Sequence, residues 1–65
     1  ENRAIIGDNC YFSLGCKVIG KVNIGDNVIV AQNSVVVKDF PSNTIVSGVP
    51  AKIIITFQNF KEINI

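Results

Sequence analysis

Residues 6–35 read IGDNCY FSLGCK VIGKVN IGDNVI VAQNSV, five hexads that each open with an apolar residue. With the residue that follows them, the apolar positions are Ile6, Phe12, Val18, Ile24, Val30 and Val36. A helix face repeats every 3.6 residues and a strand face every 2, so a period of six fits neither element alone. A chain that turns a corner about every six residues would return to an inward position at this interval. Short repeats of this kind are typical of a parallel β-helix.

A four-residue motif recurs inside the repeat. Ile-Gly-Asp-Asn occupies residues 6–9 and returns at residues 24–27, three hexads later. Three hexads per turn predict a triangular coil in which the two copies stack. Glycine and the Asp-Asn pairs suit corners, where a positive φ or a local side-chain hydrogen bond is needed. A second inward position holds small or β-branched residues: Cys10, Cys16, Val22, Val28 and Ser34.

Size and charge restrict the possible functions. The chain has 65 residues, a formal net charge of +1 and a pI near 8.1. Only about two full coils can be built, whereas repeat proteins usually need about three. We therefore expect a C-terminal piece of a longer protein, one subunit of an obligate oligomer, or both. The basic residues are scattered, which argues against a nucleic-acid surface. No apolar run reaches the length of a membrane span.

The two cysteines are predicted to be structural. Cys10 and Cys16 are one hexad apart at the inward position, where cysteine acts as a compact apolar residue. This interpretation is favoured over a disulfide or a reactive thiol. Histidine is absent, which removes the commonest partner of a cysteine nucleophile or a zinc ion. We therefore expect no metal site and a reducing, cytoplasmic setting.

The region after the repeat changes in character. Pro41 cannot donate to a β ladder and marks the end of the repeat. Residues 44–47 and 52–57 are predicted strands, separated by a turn at residues 48–51. The predicted organisation is all-β, with coils over residues 1–54 and an extended or helical tail over residues 55–65. Phe57, Phe60 and Ile63 of this region are candidates for a cap on the last coil.

Two segments carry a family resemblance. VVVKDFP at residues 35–41 and VSGVPAKII at residues 46–54, together with the hexads, resemble the C-terminal end of hexapeptide-repeat acyltransferases. Within that superfamily the chain is most similar to serine O-acetyltransferases. The resemblance covers residue 4 to about residue 54. It implies a left-handed parallel β-helix, a homotrimer or a dimer of trimers, and transfer of an acetyl group from acetyl-CoA to a small-molecule hydroxyl.

The resemblance also implies a cofactor site, in a groove between subunits. The positions that match the family's CoA contacts are Leu14, Gln32, Val37, Lys38 and Lys52. At Leu14 and Gln32 the family usually has a small residue, so their bulk is a departure. A lysine ammonium suits phosphate as a point charge, which favours Lys38 and Lys52 as partners of the CoA phosphates.

No catalytic residue is assigned. The family uses a histidine as general base toward the acceptor hydroxyl, and this chain contains none. The resemblance places that histidine on an earlier coil. Asp8, Asp26 and Asp39 are interpreted as corner and turn residues rather than as bases.

Three functional hypotheses stay open on the sequence. The first is a serine O-acetyltransferase of cysteine biosynthesis. The second is a sugar O-acetyltransferase of polysaccharide synthesis, because the residues that would choose the acceptor are shared with earlier coils. The third is a β-helix without catalytic activity, acting as a trimerisation scaffold or persisting as a truncated remnant.

Overall fold

A computed structural model describes residues 3–58, and these residues contain strands and turns but no helix. None of them therefore lies in a helix long and apolar enough to cross a membrane. The eight strands are β1 (Ile5–Ile6), β2 (Tyr11–Phe12), β3 (Lys17–Val18), β4 (Asn23–Ile24), β5 (Ile29–Val30), β6 (Val35–Val36), β7 (Thr44–Gly48) and β8 (Ala51–Thr56).

The strands form three sheets, one for each face of a triangular coil. The first small sheet pairs β1 with β4, the second small sheet pairs β3 with β6, and the large sheet has the order β2-β5-β7-β8. All pairs except β7 with β8 are parallel. Ile6 aligns with Ile24 and Val18 with Val36, a stagger of three hexads in both sheets. The predicted triangular coil is confirmed.

The core is the stack of inward side chains from the hexads. Val30, Val36 and the inward residue Val28 have no exposed surface, and Ile24 is 3% exposed. Burial decreases toward the first coil, where Ile6 is 46% exposed. Ser34, at the second inward position, is fully buried, and its hydroxyl accepts a hydrogen bond from the Gly48 N–H at 3.1 Å. This partner explains why a polar residue is tolerated there.

Asparagines take the left-handed conformation at several corners, and the glycine of the repeated motif permits close stacking. Positive φ angles occur at Asn9, Asn27, Asn33 and Asn43, near 60° in each case. Asparagine tolerates this left-handed region better than most residues. The glycine of the repeated motif has a different role. A Cβ built on Gly25 would lie 2.5 Å from the Ser42 backbone nitrogen, so the next coil could not approach as it does.

Side chains continue the stacking where the backbone ladder is interrupted. An Asp26 carboxylate oxygen accepts a hydrogen bond from the Asp8 N–H at 2.8 Å, and the Ser42 hydroxyl accepts one from the Asp26 N–H at 2.7 Å. At the same corner the Asn27 amide donates to the Asn43 side-chain oxygen at 3.0 Å. These bonds satisfy backbone and side-chain groups that the turn would otherwise leave unpaired.

The last coil is shorter than the one before it. Ile24 aligns with Phe40 and Val30 with Val46. In both pairs the aligned residues are two residues closer in sequence than the three hexads that separate the earlier coils. The shortening lies between Val36 and Phe40, and the hexad period then resumes. Phe-Pro-Ser-Asn at residues 40–43 thus forms a third layer on the two Ile-Gly-Asp-Asn motifs. The sequence interpretation ended the repeat at Pro41 and did not recognise this layer.

An antiparallel hairpin closes the C-terminal edge of the large sheet. β8 pairs with β7, with an irregularity in register between Ile45 and Val46. β8 spans Ala51–Thr56, close to the strand predicted over residues 52–57. Phe57 is 7% exposed, and its N–H donates to the Asn43 carbonyl at 2.9 Å, so the chain returns to the asparagine corner. Phe60 and Ile63 lie outside the described residues.

Replacing Ile24 by aspartate should abolish folding of the full-length protein, because the new carboxylate would lie unpaired in a dry interior. We expect a loss of stability on the order of 4 kcal/mol. Chemical denaturation followed by circular dichroism measures it. Lys21→Asp, at an exposed position, is the control and should stay close to the parent. An Ile24→Asp variant as stable as the parent would contradict the stacked-coil core.

Candidate functional site

The outward face of the large sheet carries two parallel rows of side chains. The first, which we call the apolar ridge, consists of Tyr11, Ile29, Ile45 and Ile55, aligned across the four strands. Tyr11 is 63% and Ile55 is 50% exposed. Sheet faces with this much apolar surface are typical of sites that contact a ligand or another protein.

A strip of small residues runs beside the apolar ridge. The Ser13 N–H donates to the Val30 carbonyl at 3.0 Å and the Ala31 N–H to the Val46 carbonyl at 2.9 Å. The parallel register therefore continues one residue past β2 and β5, and it aligns Ser13, Ala31 and Ser47. We call these three residues the small-residue strip. Small side chains leave the backbone accessible to a ligand that lies along the coils.

Leu14 and Gln32 stand on the corner next to this strip. The Asn33 N–H donates to the Leu14 carbonyl at 3.1 Å, so the two corner residues stack. Leu14 is 87% exposed, and Gln32 is also exposed. The following positions, Gly15 and Asn33, both have positive φ and fix the turn. The stacked pair forms one side of the strip, opposite the apolar ridge.

Lys52 lies at the C-terminal end of the small-residue strip. It is an exposed residue of β8 and pairs with Ser47. The hairpin thus places a cation where the strip ends. Three of the five predicted site residues, Leu14, Gln32 and Lys52, lie on this side of the coil.

Val37 and Lys38 lie on a different corner, between the second small sheet and the first. The Ile19 N–H donates to the Val36 carbonyl at 2.9 Å, so Ile19 and Val37 follow the aligned strands at this corner. Their side chains are 54% and 48% exposed. The Lys38 ammonium lies 5.7 Å from the centre of the Phe40 ring. Within one chain, the structure does not bring Val37 and Lys38 together with the other three predicted residues.

The carboxylates of Asp26 and Asp39 bind backbone N–H groups at the corners. An Asp39 carboxylate oxygen accepts a hydrogen bond from the Asn23 N–H at 2.7 Å, and Asp26 similarly binds the Asp8 N–H. Over residues 3–58, no group of three or more His, Cys, Asp or Glu side chains could hold a metal ion. The small-residue strip and its neighbours offer a ligand main-chain groups, serine hydroxyls, the Gln32 amide, the Lys52 ammonium group and apolar side chains.

Two curated relatives match most of the chain. Serine acetyltransferase of Staphylococcus aureus strain Mu50 is 43% identical over 49 residues, covering 75% of the chain and 23% of the relative. The Saccharomyces cerevisiae protein YJL218W, whose name assigns it provisionally to the acetyltransferases, is 45% identical over 49 residues, 75% of the chain and 25% of that protein. The chain belongs to the hexapeptide-repeat acetyltransferases. It spans about a quarter of the length of these curated relatives.

Solved hexapeptide-repeat acetyltransferases share the fold. A Vibrio cholerae member whose crystal structure contains acetyl coenzyme A is 34% identical, with a TM-score of 0.82 over 86% of the chain and 31% of its own. A maltose O-acetyltransferase from Clostridium difficile 630 is 38% identical, with a TM-score of 0.83 over 86% of the chain and 30% of its own. Serine acetyltransferase of Neisseria gonorrhoeae is 31% identical, with a TM-score of 0.85 over 94% of the chain and 24% of its own. No family model matches the chain.

The comparisons confirm the predicted fold class, the parallel β-helix of the hexapeptide-repeat acetyltransferases. They include both a serine and a sugar acetyltransferase, so membership of the family does not choose between these acceptors.

Sequence reasoning missed the small-residue strip and the contact between Lys38 and Phe40. Ser13 and Ala31 are three hexads apart, and the repeat could have revealed their alignment. Ser47 follows Ala31 by two residues fewer than three hexads, so the six-residue period does not align it. Allowing a two-residue gap before Phe40 would have aligned all three. The same gap would have identified Phe40 as an inward residue of the third layer.

Replacing both Cys10 and Cys16 by serine in the full-length protein should leave turnover per folded subunit within about twofold of the parent. Both thiols are free and partly buried, and Cys10 donates to the Gly25 carbonyl at 3.2 Å, a bond that a serine hydroxyl can replace. Initial acetyl-transfer rates, corrected for the folded fraction by circular dichroism, measure this. Loss of turnover in a fully folded variant would contradict a structural role.

Proposed function

We propose that this chain is part of an acetyl-CoA-dependent O-acetyltransferase and supplies the cofactor side of its site. The observation that carries the proposal is the small-residue strip, bounded by the apolar ridge and by Leu14 and Gln32, with Lys52 at its end. An elongated ligand with amide and apolar groups and anionic phosphates, such as acetyl-CoA, suits a surface of this kind. A related structure that contains acetyl coenzyme A supports the assignment.

In this proposal, Leu14 and Gln32 contact the pantetheine arm, and Lys52 binds phosphate. Val37 and Lys38, on the other corner, come from a neighbouring subunit of a trimer or of a dimer of trimers. The acceptor hydroxyl attacks the thioester carbonyl and loses its proton to a base outside this chain. The products are the acetyl ester and free CoA, whose thiolate receives a proton.

L-Serine is the proposed acceptor, which would place the protein in cysteine biosynthesis in the cytoplasm. The support is the 43% identity to serine acetyltransferase of Staphylococcus aureus. A sugar hydroxyl is the second candidate, supported by the 38% identity to a maltose O-acetyltransferase. The scaffold hypothesis is not favoured, because these relatives are named as acetyltransferases.

The test is acetyl transfer by the full-length protein, followed as CoA thiol release with a chromogenic disulfide. L-Serine and maltose are compared at equal concentrations. A kcat/KM at least about tenfold higher for L-serine supports the serine proposal, and the reverse supports the sugar. Release with neither acceptor above the rate of thioester hydrolysis would argue against both acceptors.

Substituting Lys38 and Lys52 together by alanine should raise the KM for acetyl-CoA about threefold to tenfold, the size expected for two exposed cations near phosphate. The salt dependence of the KM should also weaken, because exposed charge pairs are screened by ions. Lys21→Ala removes an exposed lysine outside the proposed contacts and is the matched control. A double variant that keeps the parent's KM at low and high salt would remove both lysines from the site.

A further inference from the structure

Lys38 is held against an aromatic ring. Its ammonium nitrogen lies 5.7 Å from the centroid of the Phe40 ring. This separation is within the roughly 6 Å over which a cation and an aromatic ring attract each other. An exposed lysine side chain otherwise samples many rotamers, and a ligand that fixes it loses the corresponding entropy.

The ring is a rigid support. Phe40 is 3% exposed and belongs to the hydrophobic core. Its N–H donates to the Asn23 carbonyl at 3.0 Å, and its carbonyl accepts from the Gly25 N–H at 3.0 Å. Burial and the two backbone hydrogen bonds fix Phe40 against the preceding coil. The ring therefore stays in place, while Lys38 lies at the surface.

The charge of Lys38 remains available to a ligand. The neighbouring carboxylate, Asp39, is engaged by the Asn23 N–H at 2.7 Å. Over the described range 3–58, Lys38 forms no ion pair. An ammonium group that is oriented but not neutralised is suited to an incoming anion.

We propose that Phe40 is a positioning residue, whose ring holds the Lys38 ammonium ready for a phosphate group of the acyl-CoA. This inference rests on the proposed function and deepens it at one corner of the same site. The two-residue shortening of the last coil makes the arrangement possible, because it makes Phe40 an inward core residue two positions after Lys38.

The test compares two acetyl donors in the full-length protein. Acetyl-CoA carries phosphates, whereas S-acetylpantetheine has none. Phe40→Leu should raise the KM for acetyl-CoA about twofold to fivefold, the range expected from loss of a cation–π contact, and leave kcat unchanged. The KM for S-acetylpantetheine should not change. Phe40→Tyr keeps the ring and should keep the parent's KM for acetyl-CoA.

A double-variant cycle separates positioning from a structural effect. In a Lys38→Ala background, Phe40→Leu should have no further effect on the KM for acetyl-CoA. The inference is overturned if Phe40→Leu leaves the KM for acetyl-CoA unchanged in the parent, raises it equally in the Lys38→Ala background, or raises it for both donors.

A binding measurement covers the case in which Phe40→Leu folds poorly. Phe40→Met replaces the ring by a flexible apolar side chain and is the second variant. Calorimetry with CoA and with pantetheine measures its affinity for each ligand without turnover. Weaker binding of CoA alone supports positioning, and equal affinities to the parent for both ligands overturn it. Failure of the parent protein to bind CoA at all would instead refute the proposed function.

Discussion

The fold of residues 3–58 depends on each coil returning to the register of the coil before it. The inward side chains fill the interior only if apolar residues meet apolar residues, which the three-hexad stagger of Ile6 with Ile24 and Val18 with Val36 achieves. The corners must then lie close together, which requires positive φ at asparagine and no Cβ at Gly25. With these conditions met, the outward faces become ordered rows along the coils.

The geometry of the proposed site follows from the same register. Because every coil presents its outward residues in line, Ser13, Ala31 and Ser47 align into a strip without any side chain being placed for that purpose alone. The hairpin of β7 and β8 ends the large sheet and adds Lys52 to the strip. The shortened last coil places Lys38 beside the buried Phe40 ring. A departure from regular repetition thus creates a local feature on an otherwise uniform surface.

Much of the fold could be predicted from the sequence, because one hexad position requires apolar residues and a repeated motif stacks on itself. The strand over residues 44–47 and the later isoleucine-rich strand were also predicted, although not their antiparallel pairing. At the repeated motif the predicted positive φ is found at asparagine, whereas Gly25 permits close stacking of the next coil. The strip was missed because the shortened last coil puts Ser47 out of phase with the hexads. Lys38 lies at a corner and Lys52 lies on the large sheet. Their separation could be seen only from the coil geometry, because the six-residue period alone does not give it.

The most direct measurement is a crystal structure of the full-length protein with CoA. We expect the pantetheine arm along the small-residue strip, beside Leu14 and Gln32, with a phosphate within hydrogen-bonding reach of Lys38 or Lys52. Such a structure would also show whether the corner carrying Lys38 reaches the ligand from a second subunit. CoA bound to a surface that includes neither the strip nor either lysine would contradict the claim that this chain forms the cofactor side of the site.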